Sequence, residues 1–573
     1  MYESSRLFAE ASKHAARDLL GLRAWHRLGF FCACSLLLAL SACSSPQLLG
    51  SEEGAGDENE IVATDGAEPT VTLNDGGQCV LSSGPGVIRR LTKREYQKSL
   101  VSLFESTDFP FEEPLSGNIE EGGYSTRASG LWVRDLSAQA ISIHAEAIAG
   151  WAVESVPERI SLCRELTPSC VDEMLETFAR RAFRMSLTDV MRERYSATLL
   201  GRSDWPDAAR LLVSVAIQSP YFLYRRELGV AQGSEALLSA DERAASLAYS
   251  LTANSPDAEL QAAAASDTLN SEAQLLAEAS RLLDTEGTVD ALSAFVIEWL
   301  ALEPVLTKTK TEGDIELSPE LREAMLGEVR ALVAAVYREG GGLSELLRRE
   351  TVFVNGLLAA HYEIEGVSGD EFVEVPAGNR VGGLLGTAAY LISHSTVDSS
   401  SPTARGYFIR KRLLCLDVPP PPPSVDTDLP MLTGDLTTRQ RFSQHLADPV
   451  CESCHVQIDN YGYAFESYDG LGRFRERENG IAVETVGQAV DLDGASPAFN
   501  DGRGLTTLLV GSAQVKACFH QHLLEYISGQ VSWDGNCSVD EVVRSSDDAS
   551  LQSTLSAIVS LPHYQSRIPQ GEL

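Results

Sequence analysis

Residues Cys451, Glu452, Ser453, Cys454 and His455 read C-x-x-C-H. No other stretch constrains the fold as tightly, because it commits two thiols and an imidazole to a single partner. Two thiols three residues apart can bond the two vinyl groups of one porphyrin, and the next residue sets an imidazole under the iron. This is the attachment pattern of covalent haem c, with His455 as the proximal ligand. A disulfide or half of a zinc site uses the same residue types. The haem reading is favoured because the chain also carries an export signal, and c-type haem maturation requires export.

The run from Leu28 to Ala42 is apolar and small, and too short to span a bilayer as a mature helix. Arg6, Lys13, Arg17, Arg23 and Arg27 precede it. The leader is long, which puts the expected start downstream of Met1. It closes Leu40, Ser41, Ala42, Cys43, which resembles a bacterial lipoprotein lipobox with Cys43 as the lipidated residue. An ordinary signal peptide that happens to contain cysteine is the simpler alternative. Ser44 follows where an aspartate is the usual inner-membrane retention cue, so the resemblance implies an outer-membrane lipoprotein on the periplasmic or cell-surface face. No later segment is apolar enough for a transmembrane helix.

The chain holds 46 basic and 81 acidic residues. A balance this acidic repels phosphates and argues against nucleic acid as a partner. Cysteine usage points to the same compartment as the leader. Of 11 cysteines, Cys32 and Cys34 leave with the leader, Cys43 takes lipid, and Cys451 and Cys454 take haem. Six remain, an even number, and three disulfides are expected in an oxidising compartment. Cys163 and Cys170 are close in sequence and should pair. Cys518 with Cys537 is the next pairing, which leaves Cys79 with Cys415 by elimination. Buried free thiols are the alternative for each pair.

The patterning along the chain is mostly helical. Residues 1–43 read as the signal peptide, and 44–84 as a disordered tether with eight acidic and no basic residues over 44–78. N-terminal helical domains are expected over 85–232 and a central helical domain over 233–370. A helical hairpin, a polyproline strap and the haem-motif segment fill 371–478, and a small helical domain fills 479–573. Thr92 with Glu95 and Ser239 with Glu242 are capping boxes. Ser255-Pro256 and Ser318-Pro319 read as helix starts with proline at the first position. Short β-like pieces are expected near 371–376 and 482–492. Pro419 to Pro423 force an extended segment. The expected fold class is mainly α and multidomain, with a C-terminal cytochrome-c-like module.

Several blocks in order resemble one family. They are RRLTKREYQKSLVSLF at 89–104, FARRAFRMSLT at 178–188, SPYFLYRRE at 219–227, LAYSLTANSPDAEL at 247–260 and TVFVNGLLAAHYEIEGV at 351–367. SPTARGYFIRKRLLC at 401–415 and DPVCESCHVQIDNYGYAFESYDGLGRFR at 448–475 complete the set. The chain is similar to the large planctomycete- and myxobacterial-type exported cytochrome-c-like proteins, built from a fixed series of small domains of unknown function. The resemblance covers nearly everything after about residue 85 and implies a mainly helical protein with one haem. It supplies no reaction. Met185-Ser186 interrupts a usual Arg-Arg-Pro-Leu, Thr252 stands for a frequent Trp, Asn460 for a Pro, and Gln530 for an Arg. None of these touches Cys451, Cys454 or His455.

The sixth iron ligand is open. No methionine follows His455, so Met431, in a Gly- and Thr-containing loop, is the candidate that would favour electron transfer. His394, His445, His520 and His522 are the other candidates, and an open position would permit small-molecule chemistry. Arg473 and Arg475 are candidate propionate partners, and Gly462, Gly470 and Gly472 suggest turns around the porphyrin. No nucleotide-binding or hydrolase motif occurs, so whether the chain is an enzyme is left open. The leading expectation is a lipid-anchored extracytoplasmic haem protein serving electron transfer to a redox or surface partner. The alternatives are a non-enzymatic surface binding or scaffold protein, for polysaccharide among others, and a haem oxidoreductase acting on a small molecule.

Overall fold

The computed structural model describes residues 79–110, 114–115, 123–131, 133, 135–311, 317–419, 435–443, 449–531, 533–534, 536–546 and 550–569. It is mainly α, with 57% of residues helical and 9% in strands. The helices used below are α1 (Lys93–Phe104), α2 (Asp135–Ser155), α3 (Trp205–Gln218), α4 (Ala240–Thr252), α5 (Glu286–Trp299), α6 (Pro319–Arg338), α7 (Pro402–Arg412), α8 (Pro449–Tyr463) and α9 (Ala513–Ser528). The strands are β1 (Val87–Arg90), β2 (Tyr224–Glu227), β3 (Val230–Gln232), β4 (Glu235–Leu237), β5 (Thr351–Val354), β6 (Val373–Pro376) and β7 (Ser566–Arg567), all in small antiparallel pairings.

Local sequence sets most of these boundaries. Thr92 and Ser239 close reciprocal capping boxes with Glu95 and Glu242, and Ser318 accepts from the Leu321 amide ahead of Pro319. The start expected at Ser255-Pro256 falls two residues later. Asp257 is the N-cap of the helix Ala258–Ala265, its carboxylate accepting from the Leu260 amide at 2.9 Å. An acidic cap directly after the proline outcompetes the serine before it.

Two apolar cores share one wall. The first gathers α1, α2, α3 and the helical run from Pro168 to Phe183. The second takes in Tyr124 and extends from Ala240 to Tyr564. Helix α4 lies between them and is buried over most of its surface. Ala245 and Tyr249 face the first core, while Ala244, Leu247, Ala248 and Leu251 face the second. The haem-motif segment is not set apart as a module with its own core. Phe408, Ile409, Tyr461, Phe465 and Tyr468 belong to the second core together with Trp299 of α5 and Phe519 of α9. Trp299, fully buried, donates to the Arg412 carbonyl at 2.9 Å, which ties α5 to the end of α7.

The start of the described chain folds back on its end. Trp533 donates to the Ser82 carbonyl, and the Ile568 amide donates to the Gly84 carbonyl. Cys79 is accordingly bonded to Cys537, and Cys415 to Cys518. These correct the expected Cys518–Cys537 and Cys79–Cys415 pairs. Closeness in sequence is a poor guide where the chain returns across 458 residues. Cys163 is bonded to Cys170.

A buried ionic chain runs through the same region. Arg89 holds Glu95 with two hydrogen bonds of 2.9 and 2.6 Å. Arg225 lies 3.8 Å from Glu95 and 2.5 Å from Glu227. Arg567 of β7 closes on the other Glu227 oxygen, with His563 beside it. Each side chain of this set is 3% exposed or less. Burial opposes the charge on Glu227, but Arg225 and Arg567 outweigh it and hold its carboxyl below the usual range. Glu227→Ala should lower the unfolding free energy by about 4 kcal/mol in denaturant titration, because two buried guanidinium groups lose their counter-charge.

A second buried carboxylate behaves oppositely. Glu328, in the middle of α6, accepts from the Tyr362 hydroxyl at 2.6 Å, and Arg380 stacks 3.6 Å above the Tyr362 ring. Burial dominates and pushes Glu328 up to about 7, against the Tyr362 hydrogen bond and the Arg380 charge. The folded state therefore binds the proton more tightly than the unfolded chain. This contribution to stability is complete below an ordinary carboxyl value of 4.5 and is lost as pH rises through 7. Glu328→Gln should remove about 3 kcal/mol of that decline. Glu298, Glu466 and Glu525 are also raised by burial and remain in the variant. The measurement is therefore the difference between wild type and variant in melting temperature at pH 5 and pH 8.

Candidate functional site

The C-x-x-C-H motif lies on α8, and α8 crosses α7 with the two backbones in contact. Helix α7 starts at Ser401, which accepts from the Ala404 amide, with Pro402 in the first position. A Cβ added at Gly406 would stand 1.7 Å from the Ile458 carbonyl oxygen, and one at Gly462 would stand 1.8 Å from that of Pro402. Only hydrogen fits at either position. Gly462 is therefore a helix-crossing residue and not the turn expected from its spacing to Gly472.

Cys451, Cys454 and His455 occupy the first half of α8 and are partly buried. His455 Nδ1 lies 3.0 Å from Asp459 Oδ2, one turn further along. Asp459 is fully buried, and its other oxygen accepts from the Thr403 hydroxyl of α7 at 2.6 Å. The carboxylate is clamped between the helices and fixes the imidazole through Nδ1, so Nε2 is the ring nitrogen that would carry a metal.

Arg405 organises the chain after α8. It is fully buried and donates to the carbonyls of Phe465 and Asp469 at 2.8 and 3.1 Å, with Glu466 3.6 Å away. Burial raises the Glu466 carboxyl above its ordinary value, with Arg475 and Arg405 opposing. Arg475 also pairs with Glu478 at 3.1 Å, and Arg473 with Asp469 at 2.7 Å. Both candidate propionate partners are thus engaged in ion pairs within their own loop.

The donor set fits a covalent haem. Among the described residues, Cys451 and Cys454 alone keep free thiols, and every other cysteine is in a disulfide. Of the candidates for the sixth position, Met431 and His445 lie outside the described residues, as does the lipidation candidate Cys43. The other three are core side chains. His394 is bonded to the Leu300 carbonyl at 2.9 Å and rests on Phe408. His520 is bonded to the Lys516 carbonyl at 2.7 Å. His522 sits 3.7 Å from the disulfide sulfur of Cys415. Burial lowers His394 and His522 to about 3 and keeps them neutral.

Fold and crossing define a mainly α, multidomain protein with a thiol–imidazole helix set into its larger core. Four family models match it in series, each described as a protein of unknown function: DUF1587 over residues 89–154, DUF1595 over 170–227, DUF1592 over 238–364 and DUF1588 over 381–478. The chain thus carries a planctomycete-type multidomain arrangement. No curated protein and no solved structure matches it.

Sequence reasoning missed the roles of Thr403, Arg405 and the Asp459 contact. Asp459 was within reach, since a carboxylate four residues after a histidine shares its helical face. Gly462→Ala should force the helices apart and cost about 3 kcal/mol in thermal or chemical unfolding, although alanine is the better helix former. An unchanged melting temperature would refute the close crossing.

Proposed function

We propose that the protein is an exported c-type haem protein serving electron transfer. Cys451 and Cys454 would hold the porphyrin through thioethers, and His455 Nε2 would bind the iron. Bound there, haem supplies reversible one-electron exchange. Asp459 accepts the Nδ1–H hydrogen bond and selects the tautomer, and Thr403 holds Asp459 in position. The observation that carries this reading is the pair of free thiols beside an oriented imidazole, in a chain whose other described cysteines are all bonded to one another.

The anchor belongs to the same reading. The apolar run from Leu28 to Ala42 before Cys43 supports lipidation, and Ser44 after it an outer-membrane location, with a redox or surface partner there. Among the described residues no helix is long and apolar enough to cross a membrane.

Expressed with c-type maturation factors, the wild type should show haem-associated peroxidase stain on denaturing gels. Cys451→Ala with Cys454→Ala should lose the stain and keep its helical circular dichroism, since Ile458, Tyr461 and Tyr463 still anchor α8. A colourless wild type would end the haem reading and favour a binding or scaffold role. Ready uptake of carbon monoxide by the ferrous protein would favour an oxidoreductase over an electron carrier.

Cys43→Ala should shift the protein from the membrane pellet to the soluble fraction, because the acidic stretch after it offers no apolar surface to lipid. Retention in the pellet would point to a protein partner or an uncleaved leader.

A further inference from the structure

A cavity of about 510 Å³ opens between the two cores, where β1, the start of α1, α5 and the end of α9 converge. That volume is typical of small-molecule sites, and such sites favour domain interfaces. No residue of α7 or α8 lines it, so a ligand bound there is independent of haem at Cys451 and Cys454.

Among its lining residues cations outnumber acids, the reverse of the chain as a whole. The whole sequence carries a net charge of −35. The cavity is lined by Arg89, Arg90, Lys93, Arg94, Arg225 and Arg330, against Glu95, Asp290, Glu298 and Glu303. Acids outside the lining pair with two of these cations, Glu227 with Arg225 at 2.5 Å and Glu323 with Arg330 at 3.8 Å. Glu95 is held between Arg89 and Arg225. Asp290 is shared by Arg94 at 2.7 Å and by Lys98 from one turn along α1. Glu298 accepts from the amide and hydroxyl of Ser125, and burial raises its carboxyl above the ordinary value.

Two lining groups lack partners. Arg94 Nη1 and the Thr126 hydroxyl are buried and have no hydrogen bond among the described residues. A buried donor without an acceptor costs about 1–3 kcal/mol, which an acceptor entering the cavity would return. The remaining wall is apolar, with Leu131, Ile297, Leu326 and Ile527 beside the rings of Tyr249 and Tyr526. A bare inorganic anion would leave that surface uncovered.

We propose that this cavity binds a small organic anion, a carboxylate or sulfate ester on a partly apolar carbon framework. Arg94 and Thr126 take the anionic group, and the apolar wall takes the framework. A ligand here touches both cores at once, so its binding stabilises the whole chain by mass action.

The test is calorimetric titration and thermal shift on the full chain with benzoate, glucuronate and glucose 6-sulfate. Benzyl alcohol and glucose serve as neutral counterparts, and inorganic sulfate as the bare ion. At least one organic anion should bind saturably and raise the melting temperature, and its neutral counterpart should not. Benzoate or glucuronate binding assigns a carboxylate, and glucose 6-sulfate alone assigns a sulfate ester. Arg94→Gln should weaken binding by about tenfold or more. Thr126→Val should weaken it less, and both variants should melt close to wild type without ligand, since Arg94 contributes only a partly exposed ion pair. Three results would overturn the proposal: no organic anion binding at millimolar concentration, neutral counterparts or inorganic sulfate binding equally well, or unchanged affinity in Arg94→Gln.

Discussion

Three arginines and two glutamates sealed from water hold the two ends of this fold together. In β1 and β2, Arg89 and Arg225 stand directly opposite each other, a pairing that would repel if nothing intervened. Glu95, from the first turn of α1, enters between them and makes the pairing attractive. Glu227 extends the chain of charges to Arg567, near the other end of the described sequence. Slipping β1 by one residue would turn Arg89 to the opposite face and leave Glu95 without its bidentate partner. Four elements, β1, α1, β2 and β7, must therefore arrive in a single register before the whole set of charges is matched.

The sequence was readable wherever the signal is local. The capping boxes at Thr92 and Ser239 and the proline start at Pro319 need only four residues of context, and each marks an observed helix end. The start at Asp257 was missed because two cap residues flank one proline and propensity alone does not rank them. Pairings that depend on chain return were hidden. Nothing near Cys79 announces Cys537, since Ser82 and Gly84 meet Trp533 and Ile568 only where the chain returns on itself.

The site divides along the same line. Spacing revealed the thiols and the imidazole, because haem attachment is itself a local pattern. Thr403 was invisible, being 56 residues before Asp459 and on another helix. Gly462 read as a turn and Gly406 carried no signal, yet together they let α7 and α8 touch. The result is a helix with two halves of different character. Its second half, with Ile458, Tyr461 and Tyr463, is gripped by the core, and its first half carries the reactive side chains in partial exposure. Chemistry at the first half can proceed without disturbing the packing of the second.

The Cys79–Cys537 bond has a mechanical meaning. Cys79 stands eight residues before β1, and its covalent partner opens the helix Cys537–Ser546. A pull on the chain ahead of Cys79 is delivered through sulfur into that helix. The hydrogen bonds of β1 with β2 are spared, since the short stretch between Cys79 and Val87 is already bypassed. Force that would unzip a two-stranded ribbon one rung at a time is instead passed to a helix whose Val539 and Val542 sit in the larger core.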